Sequence, residues 1–394
     1  MNSKIILCLL IVVLSLAGCV SEFNAKLPSG ETDILIVDGT ILENSESIFY
    51  LSKSFSMDTS VIPQESFNIN AKLTLIGSNG YTSDPAIPLG RGTYRLRVGK
   101  LEDDVRYGIQ IEYDGETYQS VPAKPLFTPE IDSISWIQPQ KAGPVSFQIS
   151  THDISSEPKF FLWNYTEDWE ITAHFYTSIF YNPVDSSFYE ETIAPHYYCW
   201  NNLKSKVILI GTTESLKENR IVNKYLCQFN SNDDRFSVLY SITVNQKAIS
   251  KEAYDYYLNK RMLNNEMGGL FTPQPFELKG NISCITNPTK KALGYVEINK
   301  NSTQKRIFVS TEQITHPISN SDCVLMTQLE VTQLLGEDIT YYDFYRFGFR
   351  PAGYSSTRFY PRIFPEYWAY DYCTDCTLNG GTKNKPDFWP NNHH

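Results

Sequence analysis

Basic side chains are scarce in this chain. Lysine and arginine total 34 against 44 aspartates and glutamates, a formal charge of −10. That balance excludes nucleic acid and anionic lipid as main partners. It names no alternative, because acidity also keeps exported proteins soluble. Catalytic signatures are absent as well: the sequence holds no GxSxG, HExxH, P-loop or GxGxxG pattern. Histidines number 6, and His152, His174, His196 and His316 are scattered, each read as a surface or internally satisfied residue. The acidic neighbours Glu167-Asp168 and Glu190-Glu191 would serve a glycosidase only if a pair converged in space. A solvated face is the plainer reading. The expectation is therefore a protein with no cofactor, no metal and no catalytic constellation.

Long apolar runs are missing too, with one exception at the N-terminus. Lys4 precedes Ile5–Leu16, an apolar stretch of secretory-signal length. It is shorter than the ~20 residues a helix needs to cross a bilayer. "LAGC", Leu16 to Cys19, resembles the bacterial lipobox, whose cysteine is diacylated before cleavage on its N-terminal side. Small residues at Ala17 and Gly18 let an extended chain enter a peptidase cleft, and only cysteine offers a thioether. More than one acyl chain is what stable anchoring requires. The reading is a signal over 1–18, a lipidated tether over 19–32, and an outer-membrane address facing the exterior. Loss of Lys4 with the signal makes the charge −11.

Cysteine is sparse but even in number once Cys8 and Cys19 are set aside. Cys199, Cys227, Cys284, Cys323, Cys373 and Cys376 remain. In an exported chain they predict disulfides, with the connectivity open. Cys373 and Cys376 form a CxxC, but no second CxxC accompanies it as a zinc site would need.

What the sequence has in abundance is aromatic surface: 26 Tyr and 22 Phe. These residues favour pleated, half-buried positions, and exposed ones can stack on a sugar or another ligand. From Ile34 the chain reads as short strands between turns. "RYGIQIEYDGETYQS" predicts a hairpin turning at Asp114-Gly115. Seven strands in about 95 residues predict an immunoglobulin- or fibronectin-like β-sandwich over 33–125. Residues 126–394 read as a larger antiparallel β domain with a cysteine-containing tail. It carries one inserted helix at about 250–266, capped by Ser250 and stopped by Gly268-Gly269. "LGYVEINKNSTQKRIFVS" predicts a second hairpin.

Three stretches in order, "ISKEAYDYYLNK", "GGLFTPQPFELKGNISCITNPTKKALGYVEI" and "CTDCTLNGGTKNKPDFW", resemble the Bacteroidota lipoproteins of domain of unknown function 4249. The resemblance implies a lipobox and an N-terminal sandwich. It also implies a role beside a TonB-dependent β-barrel transporter of the outer membrane, as ligand capture or lid. It supplies no activity, cofactor or catalytic residue. The aromatic–arginine tract Tyr341 to Cys373 is the best candidate contact surface, with Arg346, Arg350, Arg358, Arg362 and Trp368 as contact residues. The competing expectations are a surface-anchored hydrolase and a structural or adhesion protein of the envelope.

If Cys19 carries the anchor, Cys19→Ser releases the body from outer membranes into the soluble fraction. Flotation of the variant with membranes would show that something else holds it.

Overall fold

The computed structural model describes residues 34–55, 64–157, 159–191, 195–266, 278–317, 322–336, 338–359 and 362–391. The signal, the lipobox and the tether assigned above lie outside the described residues. So does the stretch 267–277 that opens "GGLFTPQPF".

Alternation of apolar and polar residues builds the first sandwich. In Leu35–Leu42 the side chains of Leu35, Val37 and Ile41 are buried while Asp38 faces out. Gly39 reads locally as part of a turn, yet it lies within this strand. The Phe49 ring covers it so closely that a Cβ would sit 2.3 Å from the ring. One sheet runs from Leu35–Leu42 through Ser45–Lys53 and Thr93–Val98 to Ile87–Gly90. The facing sheet holds Ala71–Gly77, Tyr107–Tyr113 and Glu116–Ser120. Asp114 and Gly115 both adopt positive φ, 55° and 76°, as a two-residue hairpin turn of matching twist requires.

This sandwich does not end near residue 125. Ile282–Cys284 adds to the edge of the second sheet beside Glu116–Ser120. Ala292–Leu293 and Val296–Asn299 pair in parallel with Leu35–Leu42. Ile282, Val296 and Ile298 enter the same core as Phe49, Leu73 and Ile109. The unit is thus discontinuous, and the sequence boundary of 33–125 is corrected accordingly. A short alternating strand carries no record of which distant sheet it joins.

The second sandwich places Phe160–Thr172 at the centre of a sheet, flanked by Tyr198–Lys204 and Leu209–Thr212 on one side and Leu239–Ile249 on the other. Thr303–Ser310 pairs next to Leu239–Ile249. The facing sheet is Ile131–Ile137, Val145–His152 and Arg220–Phe229. Phe147, Phe161, Trp163, Phe236, Tyr240 and Val244 fill the space between. The hairpin expected from "LGYVEINKNSTQKRIFVS" is therefore not formed. Its first strand belongs to one sandwich and its second to the other.

Where the chain passes between sandwiches, polar groups are buried and tied to one another. Thr128, Gln246 and Asn299 have no exposed surface. The Thr128 N–H donates to Asn301 Oδ1, its Oγ1 donates to the Asn301 carbonyl, and Asn301 Nδ2 donates back to the Thr128 carbonyl, each at 2.8 Å. Ala248 N–H donates to Thr128 Oγ1 at 3.0 Å, and Asn299 Nδ2 donates to the Ala248 carbonyl at 2.7 Å. Gln246 accepts from Trp163 Nε1 and donates to the Pro129 carbonyl.

The expected helix is present as Lys251–Glu266. Ser250 caps it by accepting from the Ala253 N–H at 3.1 Å. Among its described side chains Ala253 and Tyr256 are buried, and Phe160 and Leu162 lie beneath it on the outer face of the central strand. At the other end of that face, Trp389 Nε1 donates to Glu170 Oε2 at 2.9 Å, and the Arg306 guanidinium covers Phe388. The C-terminal residues form a third, smaller module. A hairpin of Phe349–Phe359 and Arg362–Tyr370 carries the helices Gln328–Leu335 and Tyr341–Arg346, each opened by a capping box.

Two disulfides fix this module: Cys199–Cys376 and Cys323–Cys373. The CxxC cysteines are thus bonded to distant partners and not to each other. Cys227 and Cys284, included above among the disulfide candidates, are free and buried, one in each sandwich core. Peptide mapping without reduction should return the two linked pairs, with Cys227 and Cys284 alkylated only after denaturation.

Glu297 sits beneath the start of the long helix, 4% exposed, accepting from the Ser250 N–H at 3.1 Å and the Ser250 Oγ at 2.6 Å. Burial outweighs these hydrogen bonds and lifts its carboxyl from an ordinary 4.5 to about 7. Between those values the unfolded chain has released a proton that the folded chain still holds. Stability is therefore fully present below 4.5, falls as pH rises, and levels off above 7, a loss of about 3 kcal/mol. In urea titrations Glu297→Gln should match the parent at pH 4.5 and exceed it at pH 8. Parallel pH profiles for the two proteins would refute this assignment.

Candidate ligand pocket

Between Phe160–Thr172 and Tyr198–Lys204 the chain leaves the second sandwich and forms a small hairpin, Ile179–Asn182 with Ser187–Glu190. Phe188 inserts from this hairpin into the C-terminal module, 5.0 Å from the Tyr341 ring and 5.9 Å from Trp368. The Phe175 N–H donates to the Cys373 carbonyl and the Cys376 N–H to the His196 carbonyl. Cys199–Cys376 closes the joint covalently. Gly381 is required beside it, because a Cβ there would lie 2.4 Å from that of Cys199. Thr382 then exchanges backbone hydrogen bonds with Trp200. The C-terminal motif singled out in the sequence is thus a clasp across the end of the second sandwich.

The clasp leaves a pocket of about 360 Å³. The hairpin side contributes Ile179, Phe180, Tyr181, Tyr189 and His196, and the module side Tyr345, Arg350, Asp371, Asp375 and Leu378. Arg350 Nη1 donates to the carbonyls of Tyr345 and Phe349 at 2.7 and 2.9 Å. Its Nη2 lies 3.7 Å from Asp371 Oδ2, and its guanidinium stacks 4.0 Å from the Tyr345 ring. His196 Nδ1 is 3.3 Å from Asp375 Oδ2, while Asp375 Oδ1 accepts from the Thr377 N–H and Oγ1. Tyr181 is 6% exposed, and its hydroxyl has no partner among the described residues. The pocket hydroxyls of Thr177 and Thr374 donate to the carbonyls of Ile179 and Asp371. Neither is turned to His196 as a nucleophile would be.

Of the contact residues read from the sequence, Arg350 lines this pocket. Arg346 is exposed, 5.9 Å from the Phe347 ring and outside the lining. Trp368 is corrected: it is wholly buried, stacked on Tyr341 and edge-on to Phe344, and forms the module's core. A large ring in a tract of large rings gives no local sign of which one faces inward. The backbone of Arg358 and Arg362 lies near the hairpin tip, and their side chains fall outside the described residues. The sequence reading set His196 aside and did not select Tyr181, Tyr189, Asp371 or Asp375. The one available signal was the spacing of Asp371 and Asp375 around Cys373, which a staple at that cysteine holds to one wall.

Of the acidic neighbours weighed for a glycosidase, Glu167 and Asp168 do not converge. Glu167 and Asp168 are successive strand residues on opposite faces of the sheet. Glu167 accepts from Arg235 Nε and the Tyr240 hydroxyl, both at 3.0 Å, and Asp168 accepts from Asn202 Nδ2 at 2.5 Å. Among the described residues no cluster of three or more His, Cys, Asp or Glu could hold a metal ion.

No curated protein matches the chain. Among solved structures it is similar to a two fibronectin type-III domain segment from chicken tenascin, at 12% identity over 55% of this chain and 95% of that one, TM-score 0.16. It is also similar to the Yersinia pseudotuberculosis adhesin InvE, at 13% identity over 55% of each chain, TM-score 0.16. Superpositions this loose carry no argument about function. The family model described as Domain of unknown function (DUF4249) matches residues 20–305, which takes in the first sandwich and all but the end of the second, and stops short of the C-terminal clasp. The chain belongs to that family.

Proposed function

We propose that this chain is a lipid-anchored binding protein on the outer face of the outer membrane. In this reading it captures a ligand for, or serves as a lid to, a TonB-dependent β-barrel transporter. The observation that carries the reading is the pocket's chemistry. It combines aromatic walls with a few polar groups, and its two threonine hydroxyls are committed to backbone carbonyls. Such a site holds a molecule and offers no activated nucleophile to attack it. The lipobox at Cys19 and the family resemblance support the address and the partner.

In this reading the contact surface lies at the clasp. Removing 33–125 would strand Ile282–Cys284 and Val296–Asn299 without their sheets, so such a deletion does not isolate the binding part. Arg350→Ala would also free the carbonyls that shape the pocket wall. The informative variant is Tyr189→Ala, whose side chain is 43% exposed. Affinity purification of the full chain from outer membranes should retain a β-barrel transporter and a small molecule. Tyr189→Ala should lose the small molecule with an unchanged circular dichroism spectrum. Recovery of neither companion with the parent protein would sink the reading.

A further inference from the structure

We infer that the pocket takes a neutral saccharide of one or two sugar units, an assignment that rests on the binding reading above. The charges come first. Among the described residues Arg350 is the one guanidinium in the lining; its Nη1 is committed to two carbonyls, and the group lies between Asp371 and the face of Tyr345. An anionic ligand would meet two carboxylates against this single guanidinium. A cationic ligand would meet the Arg350 guanidinium already beside Asp371. A purely apolar ligand would strip water from Asp371, Asp375, His196 and the Tyr181 hydroxyl without replacing its hydrogen bonds, which is costly.

A sugar fits what remains. Phe180 and Tyr189 are directly opposite in the hairpin, so their rings share one face, 5.7 Å apart and tilted by 32°. The Tyr345 face is occupied by Arg350, which leaves this pair as the stacking platform for the C–H face of a pyranose. Carboxylates with one oxygen engaged keep lone pairs on the other. They accept from sugar hydroxyls, while the unpartnered Tyr181 hydroxyl both donates and accepts. The volume of 360 Å³ lies near the lower end of small-molecule sites, roughly 300 to 1,000 Å³. That suits a short glycan end and not a long chain.

The test is calorimetry on the full chain in detergent, titrated with maltose, cellobiose, mannobiose, xylobiose and lactose. Digalacturonate and choline serve as charged probes. At least one neutral disaccharide should bind. Tyr189→Ala should weaken it roughly tenfold, Tyr181→Phe by a smaller factor, and Arg346→Ala, outside the pocket, should change nothing. Failure of every neutral disaccharide overturns the assignment, as does sugar binding that Tyr189→Ala leaves unaltered. If digalacturonate or choline binds in a Tyr189-dependent way, the ligand class is wrong while the binding reading stands. If every probe fails and the membrane purification also returns nothing, both fall.

Discussion

The hydrogen-bonded exchange between Thr128 and Asn301, with Ala248, Asn299 and Gln246 tied into it, is the constraint on which the rest depends. The chain crosses between sandwiches near 121–130, again between 249 and 282, and again near 300–302. At the first and last of these crossings it buries backbone and amide groups. Each left unsatisfied would cost about 1–3 kcal/mol. A slip by one residue in any crossing would break several of these bonds at once, so the sandwiches meet in one register. Lys247 reinforces the joint from inside, its Nζ donating to Thr40 Oγ1 while burial pushes its pKa down. The pair of sandwiches is thus a stiff base for whatever is mounted on it.

The C-terminal module is mounted by different means. Its own core, Val331, Phe344, Phe349 and Trp368, is small. Small cores rarely hold alone, and cross-links are the usual remedy in oxidising compartments. Cys199–Cys376 joins residues 177 apart in sequence. Closing so long a loop restricts the unfolded chain strongly, by about 5 kcal/mol in the chain-entropy account. The same bond sets the distance between His196 and Asp375, so the staple that stabilises the module also shapes the pocket. The family match ends at 305, before this module begins. The matched stretch holds most of the stiff base, and the pocket's far wall is built on the segment beyond it.

Much of the architecture was legible locally. Alternation identified the strands, Asp114-Gly115 the hairpin turn, and Ser250 the start of the long helix, because each of these is governed by neighbours a few residues away. Sheet membership was not legible. Val296–Asn299 and Thr303–Ser310 look like two arms of a hairpin, yet partners nearly 60 or more residues distant claim them. The aromatic tract showed that rings would cluster. It could not show that Trp368 is core while Tyr189, from another part of the chain, is surface.

By itself, the sequence determined a β-rich chain with an acidic balance and an even set of cysteines outside its N-terminal apolar run, since composition and short-range pattern suffice for those. Only the tertiary structure decided that one sandwich is discontinuous, that the CxxC serves two separate disulfides, and that His196, Asp375, Arg350 and Asp371 share one pocket. The reason is physical. Strand pairing and disulfide bonding are contacts between segments far apart in the chain, and the free energy that selects among them comes from the assembled core.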